Sequence, residues 1–121
     1  MKRLLCFLVL SLIFLIACNK STTDYATQAV CTGNTPTYLN DVAVIINNNC
    51  AISGCHNNAT SSAGIALEGF ANASSQFKDN KKNLISIHHG KGASNMPKNA
   101  SKLSDADINK LDCWVKNGCP N

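Results

Sequence analysis

Two cysteines and a histidine stand together near the middle of the chain, in the stretch Cys50-Ala-Ile-Ser-Gly-Cys55-His56. Two thiols followed by an imidazole predict a covalent haem site, because the sulfurs can add to the two vinyl groups while the histidine binds the iron. The usual motif has two residues between the cysteines, whereas here four intervene. A structural disulfide between Cys50 and Cys55, and a zinc site formed with His56 and a fourth ligand, are the alternative interpretations.

A haem held by His56 needs a ligand on its other face, and the downstream candidates are His88, His89 and Met96. Met96 precedes Pro97, which fixes its own backbone dihedral and pushes the preceding residue towards an extended conformation. The neighbouring residues are polar, so Met96 is a weaker candidate for core filler than most methionines are. Met96 is therefore predicted as the distal iron ligand.

The amino terminus has the pattern of an export signal. A basic start, Met1-Lys2-Arg3, leads into an apolar stretch over residues 4–16 that is too short and wrongly flanked for a membrane span. The stretch ends in Leu15-Ile16-Ala17-Cys18, which resembles a bacterial lipobox. Residues 1–17 are thus predicted as a lipoprotein signal peptide and Cys18 as the lipidated anchor. An ordinary signal peptide with a chance cysteine is the alternative.

These features predict a lipid-anchored protein of a bacterial cell envelope, facing the periplasm or the surface. Asn19 follows the anchor where an aspartate would favour inner-membrane retention, which slightly favours the outer membrane. Loss of Lys2 and Arg3 with the signal lowers the formal net charge from +4 to +2.

Six lysines lie between residues 78 and 102, relieved there by a single acid, Asp79. They are interpreted first as a solvated face and second as a docking surface for an acidic redox partner. Nucleic acid is not expected as a partner, because the basic residues have no interleaved aromatics and the protein is exported.

Three cysteines remain once Cys6 leaves with the signal, Cys18 takes lipid and the central pair takes haem. They are Cys31, Cys113 and Cys119. Cys113 and Cys119 flank the predicted end of the last helix at positions that commonly touch, so this pair is the preferred disulfide. Cys31 could instead pair with either one, because bridges cannot be deduced from spacing alone.

The remaining pattern predicts a flexible tether over residues 18–36 and a helical domain over residues 37–121. Apolar residues at helical spacing follow Thr37 as cap and end at Asn47–Asn49, although the branched residues of 42–46 also allow a strand. Residues 70–77 predict a helical turn, and residues 81–89 a helix capped by Asn80.

The last helix has the clearest signals. Ser104 stands in the cap position, and Asp107 follows three residues later in a capping-box position. Gly118 is placed for a left-handed residue at the helix end, and Pro120 prevents continuation.

Taken together, three blocks resemble the small monohaem class I c-type cytochromes, in particular the cytochrome domains of bacterial lipoproteins. The blocks are the helix that leads into Cys50…Cys55-His56, the Met96-Pro97 dipeptide and the closing segment from Lys102 to Gly118. The resemblance implies an all-α, cytochrome c-like fold of three to four short helices around one covalently bound haem c.

The resemblance also implies an electron-transfer protein rather than an enzyme. Cys50 and Cys55 would carry the thioethers, His56 and Met96 would be the axial ligands, and His89 would contact the haem pocket. We expect the haem wall to be apolar, formed by Ile65, Leu67, Leu84, Ile87, Leu111, Trp114 and Val115. The alternatives are a small-ligand sensor or peroxidase-like protein with an open sixth position, and a haem-free, disulfide-stapled lipoprotein.

Overall fold

Short helices joined by loops make up the part of the chain that the computed structural model describes, residues 24–121. No strand occurs within that range, so the predicted all-α class is confirmed. The predicted signal peptide, 1–17, and the predicted lipidation site, Cys18, lie outside the described residues. The helices are α1 (Tyr25–Gln28), a π-helical turn (Tyr38–Val42) that continues into α2 (Ala43–Asn49), a 3-10 turn (Ser62–Gly64), α3 (Phe70–Asp79), α4 (Lys81–Ile87) and α5 (Asp105–Lys116).

The predicted caps begin the helices as expected. The Thr37 hydroxyl accepts a hydrogen bond from the Asn40 amide at 3.3 Å, and the side chain of Asn80 accepts from the Lys82 amide at 3.1 Å. Ser104 Oγ accepts from the Asp107 amide at 3.1 Å. Each bond satisfies an amide that has no partner within its own helix.

Helix α3 is longer than the helical turn predicted for residues 70–77, because it runs for ten residues. Its polar residues have modest helix propensity, so the local sequence underestimates it. Packing supplies the difference, since Ala73 and Phe77 are buried and the Phe77 ring lies 5.9 Å from the ring of Trp114. The Phe70 ring lies 5.6 Å from that of Tyr38.

Trp114 of α5 lies at the centre of the core and is fully buried. Its ring contacts the rings of Tyr38 and Phe77, and its indole Nε1 donates to the Pro120 carbonyl at 2.8 Å. The same carbonyl accepts from the Tyr38 amide at 2.9 Å. The carboxyl terminus therefore folds back between the first helical turn of the predicted domain and the last helix.

The end of α5 has the geometry of a Schellman motif. The Cys119 amide donates to the Trp114 carbonyl at 2.8 Å, and the Gly118 amide donates to the Val115 carbonyl at 3.0 Å. Gly118 has a φ of +81°, a left-handed conformation that a side chain disfavours. The predicted stop at Gly118 is thus confirmed.

The preferred disulfide between Cys113 and Cys119 is wrong. Cys113 is bonded to Cys31, 82 residues away in sequence. Cys119 is a free thiol that is only 2% exposed, and it packs within the main apolar core. Although helix closure brings positions 113 and 119 near each other along the backbone, their side chains face different neighbours. Cys113 faces the segment that contains Cys31.

That segment belongs to the predicted tether, residues 18–36, and its residues 24–31 are docked on the domain, where Cys31 is bonded. Asp24 forms an ion pair with Lys81 at 2.7 Å, and Tyr25 stacks on His88 with 3.7 Å between ring centroids. The carbonyl of Ala29 accepts from Lys116 Nζ at 2.8 Å. Ala26 is buried in the core and Tyr25 packs against it, so apolar packing, polar contacts and the disulfide together hold the segment. With few large apolar groups, its composition does not reveal this docking.

Among residues 24–121, no helix is both long enough and apolar enough to cross a membrane.

Candidate functional site

A cavity of about 580 Å³ brings together the four residues predicted to hold a haem. Cys50, Cys55, His56 and Met96 all contribute to its lining. The volume lies within the range of roughly 300–1,000 Å³ that is usual for small-molecule and cofactor sites. The cavity is formed between the loop that follows α2, the end of α3, helix α4 and the loop that precedes α5.

Helix α2 delivers the first cysteine to this cavity. The Cys50 amide donates to the Ile46 carbonyl at 2.8 Å, so Cys50 closes the last turn of the helix. The chain then turns through the four-residue gap, with the Cys55 amide bonded to the Ile52 carbonyl at 3.0 Å. Gly54, within this gap, has a φ of +80°, a left-handed conformation that glycine adopts readily.

The same turn returns the histidine to the first cysteine. The His56 amide donates to the Cys50 carbonyl at 3.1 Å, which closes the loop despite its two additional residues. The longer spacing is therefore compatible with both thiols and the imidazole on one cavity wall.

The imidazole of His56 is oriented by a backbone carbonyl. Its Nδ1 lies 3.0 Å from the carbonyl oxygen of Ile65. Since a carbonyl only accepts, Nδ1 must carry the hydrogen, and Nε2 of the neutral ring keeps its lone pair. Histidines that bind metals through Nε2 are commonly held in this way, which makes His56 competent as an axial ligand.

Cys50 and Cys55 are both free thiols, so the alternative of a disulfide between them is not found. Burial, with a smaller contribution from the neighbouring Cys55, raises the pKa of the Cys50 thiol to about 11. Cys50 is thus protonated and uncharged at neutral pH. Within residues 24–121, no group of three or more His, Cys, Asp or Glu side chains is placed to hold a metal ion, so the zinc alternative finds no ligand set there.

Met96 is held in place by backbone hydrogen bonds on both of its sides. Its amide donates to the Ser86 carbonyl at 3.0 Å, and its carbonyl accepts from His89 Nε2 at 3.1 Å. His89 was expected as a contact of the haem pocket, but it is not among the residues that line the cavity. Its contact is with the backbone of Met96 instead.

His88, the other candidate ligand, points away from the cavity. Its Nε2 lies 2.8 Å from Asp112 Oδ2 on α5, and its ring stacks on Tyr25. This histidine is engaged in a buried contact between α4 and α5 and is not available to the cavity.

Of the residues expected to form the haem wall, three lie at the cavity. Ile65, Leu67 and Ile87 line the cavity, whereas Leu111 and Trp114 belong to the core behind it. Leu84 and Val115 line a separate cavity of about 240 Å³. The wall also includes Phe77, which was missed because residues 70–77 were predicted only as a turn.

Two of the six clustered lysines reach the cavity, namely Lys82 and Lys98. Lys81 is paired with Asp24, and Lys102 lies 3.5 Å from Asp105. Lys78 lines the second cavity, so the lysines of the cluster have different surroundings and do not form one uniform face.

Comparisons with protein-family models, with curated proteins and with solved structures return no match. The residues and geometry of the cavity are thus the basis for its interpretation.

Proposed function

We propose that this protein is an electron carrier with one covalently bound haem c, built on a cytochrome c-like helical domain. The observation that carries the proposal is that one cavity is lined by Cys50, Cys55, His56 and Met96. Met96 is far in sequence from the other three residues. Few other cofactors would use two thiols, an imidazole and a thioether together.

The donor set fits haem in its chemistry and in its surroundings. Cys50 and Cys55 would hold the porphyrin edge through thioethers, and His56 Nε2 would be the proximal ligand. Met96 would supply a sulfur ligand from the other loop. Ile65, Leu67, Phe77 and Ile87 provide an apolar lining for a flat, largely apolar ring.

When bound, haem would supply a one-electron iron couple, with methionine ligation raising the reduction potential above that of bis-nitrogen ligation. The residues of the chain contribute by positioning the ligands. The Ile65 carbonyl keeps His56 in one tautomer, and the Ser86 and His89 contacts hold Met96 at a constant position. Such fixed ligands would change little between oxidation states.

The proposal includes a lipid anchor at Cys18 in the bacterial cell envelope and a redox protein as partner. Lys82 and Lys98 at the cavity would favour an acidic partner surface. Encounter rates with such a partner would then fall as the ionic strength rises.

The first experiment is to produce the full chain together with c-type haem-assembly machinery and to stain a denaturing gel for haem. Wild type should carry covalent haem, and the double variant Cys50→Ser/Cys55→Ser should carry none. Cys119→Ala is the matched control, because Cys119 is also a free cysteine but lies in the core away from the cavity. It should stain like wild type. A wild type without covalent haem would contradict the proposal.

The optical spectrum of the haem-loaded ferric protein tests the sixth ligand. We expect low-spin, six-coordinate iron with a methionine-to-iron band that disappears in Met96→Ala. A high-spin wild type would instead favour the small-ligand sensor or peroxidase-like alternative.

A further inference from the structure

The docked segment of residues 24–31, called the strap below, is fastened at both of its ends. Asp24 is paired with Lys81 on α4, and Cys31 is bonded to Cys113 on α5. Between these points, Asn109 Nδ2 donates to the Val30 carbonyl at 3.2 Å. The strap therefore joins α4 to α5 by contacts that the haem site itself does not use.

Tyr25 of the strap packs against the start of the loop that joins α4 to α5 and carries Met96, residues 88–104. Its ring is stacked on His88 with an angle of 11° between the planes. Its hydroxyl also lies against Gly90, where an added Cβ would be only 2.5 Å from Tyr25 Oη. Gly90 is needed here for space rather than for an unusual backbone angle, because its φ is not positive.

His88 is also bonded to α5, through its Nε2. Asp112, which accepts the His88 hydrogen bond, directly precedes Cys113, which holds the strap. One turn of α5 thus anchors both the strap and the histidine on which the strap packs.

Residues close to His88 in sequence are hydrogen-bonded to the backbone of Met96. His89, next to His88, donates to the Met96 carbonyl, and Ser86 accepts from the Met96 amide. A displacement at His88 or Gly90 would consequently be transmitted to the backbone of Met96 through its immediate neighbours.

We infer that the strap is a positioning element for Met96, with Tyr25 as the positioning residue that acts through His88 and Gly90. The disulfide between Cys31 and Cys113 keeps Tyr25 in that position. The inference deepens the proposed function, on which its significance for iron ligation rests, but the mechanical link can be tested with or without haem.

The test is amide hydrogen exchange, measured by mass spectrometry on peptides of the full-length protein. Gly90→Ala places a methyl group against Tyr25 Oη and should push the strap away. Exchange in the peptide that contains Met96 should then accelerate by about fivefold or more. Adding Tyr25→Phe removes the clashing hydroxyl but keeps the ring, so Gly90→Ala/Tyr25→Phe should restore slow exchange.

Val30→Ala is the control within the strap, because the Val30 side chain is 73% exposed and only its backbone carbonyl is bonded to α5. It should exchange like wild type. The double variant Cys31→Ser/Cys113→Ser should accelerate exchange around Met96 more than exchange in α5. In haem-loaded protein, the methionine-to-iron band should weaken in the variants that accelerate exchange.

Unchanged exchange around Met96 in both Gly90→Ala and the cysteine double variant would overturn the inference. Acceleration in Gly90→Ala that Tyr25→Phe fails to relieve would also overturn it, because the added methyl also approaches Ile85 Cγ2 at 3.2 Å. A wild type without haem on the stained gel would refute the proposed function alone, since the exchange measurement does not depend on haem.

Discussion

The three histidines of the chain have three different roles, and each role is set by a single hydrogen bond. His56 donates to a backbone carbonyl and keeps Nε2 available, while His88 is bonded to a buried carboxyl. His89 donates to the Met96 backbone. The sequence identified all three as candidates for the site. Only their hydrogen-bond partners, which lie 7 to 24 residues away, distinguish the proposed ligand from the two supporting histidines.

Asp112 is the most unusual side chain outside the cavity. It is 4% exposed, and its Oδ1 has no hydrogen-bond partner among the described residues. Burial raises the pKa of Asp112, and the neighbouring His88 opposes the rise without cancelling it. The folded protein therefore holds a proton on Asp112 at pH values where the unfolded chain has lost it.

This difference predicts a dependence of stability on pH. Above the ordinary aspartate pKa of 3.8, the folded state binds more protons at this site than the unfolded state does. The contribution of Asp112 to the free energy of unfolding must then decrease as the pH rises through this range, up to the raised pKa. We expect Asp112→Asn to remove that contribution, as measured by urea unfolding between roughly pH 3 and pH 7.

Asp105→Asn is the control for this experiment, because the Asp105 side chain is 98% exposed. It should retain the pH dependence of wild type. Identical pH profiles for wild type and Asp112→Asn would contradict the assignment.

At the scale of elements, helix ends were predictable and one helix length was not. Ser104, Asp107 and Gly118 act through neighbours within a few residues, so their local pattern sufficed for α5. Helix α3 depends on Phe77 packing against Trp114, a contact between segments that the sequence does not show to be close.

Gly118 allows a clean test of the backbone requirement at the end of α5. Its φ is +81°, and a Cβ built there meets no other atom within 4 Å, so only the backbone conformation opposes a side chain. Gly118→Ala should lower the free energy of unfolding by about 1 kcal/mol. Gly118→Asn should cost less, because asparagine tolerates this conformation better.

Urea unfolding of the two variants beside wild type provides the measurement. An alanine variant as stable as wild type, or an asparagine variant less stable than the alanine one, would contradict the Schellman description.

At the scale of the whole molecule, one disulfide joins the strap to the last helix. The bond closes a loop of 82 residues and so restricts the unfolded chain strongly. A domain this small gains much from such a cross-link, since its apolar core is limited.

We expect Cys31→Ser/Cys113→Ser to lower the free energy of unfolding by about 2–5 kcal/mol. Cys119→Ala should cost only about 1 kcal/mol, because it removes packing and no covalent bond. Both values follow from denaturant unfolding under oxidising conditions.

Thiol counting in unreduced, denatured protein tests the pairing itself. If Cys31 and Cys113 are bonded, Cys119→Ala must remove one titratable thiol. If Cys113 and Cys119 were bonded instead, the same variant would release Cys113 and raise the count by one.

The sequence alone determined the all-α class and the helix caps, and it singled out the residues predicted to hold a haem, namely Cys50, Cys55, His56 and Met96. These features are encoded locally. A cap, a turn or a cysteine pair next to a histidine involves residues within one or two turns of each other, where spacing predicts proximity.

Only the tertiary structure decided the partner of Cys113, the docking of residues 24–31 and the separate roles of His88 and His89. It also showed that the two groups of predicted ligands line one cavity. Each of these outcomes depends on which faces of distant helices meet. The packing of the core around Trp114 decides which faces meet. This packing depends on residues from all the helices at once, and no single stretch of sequence encodes it.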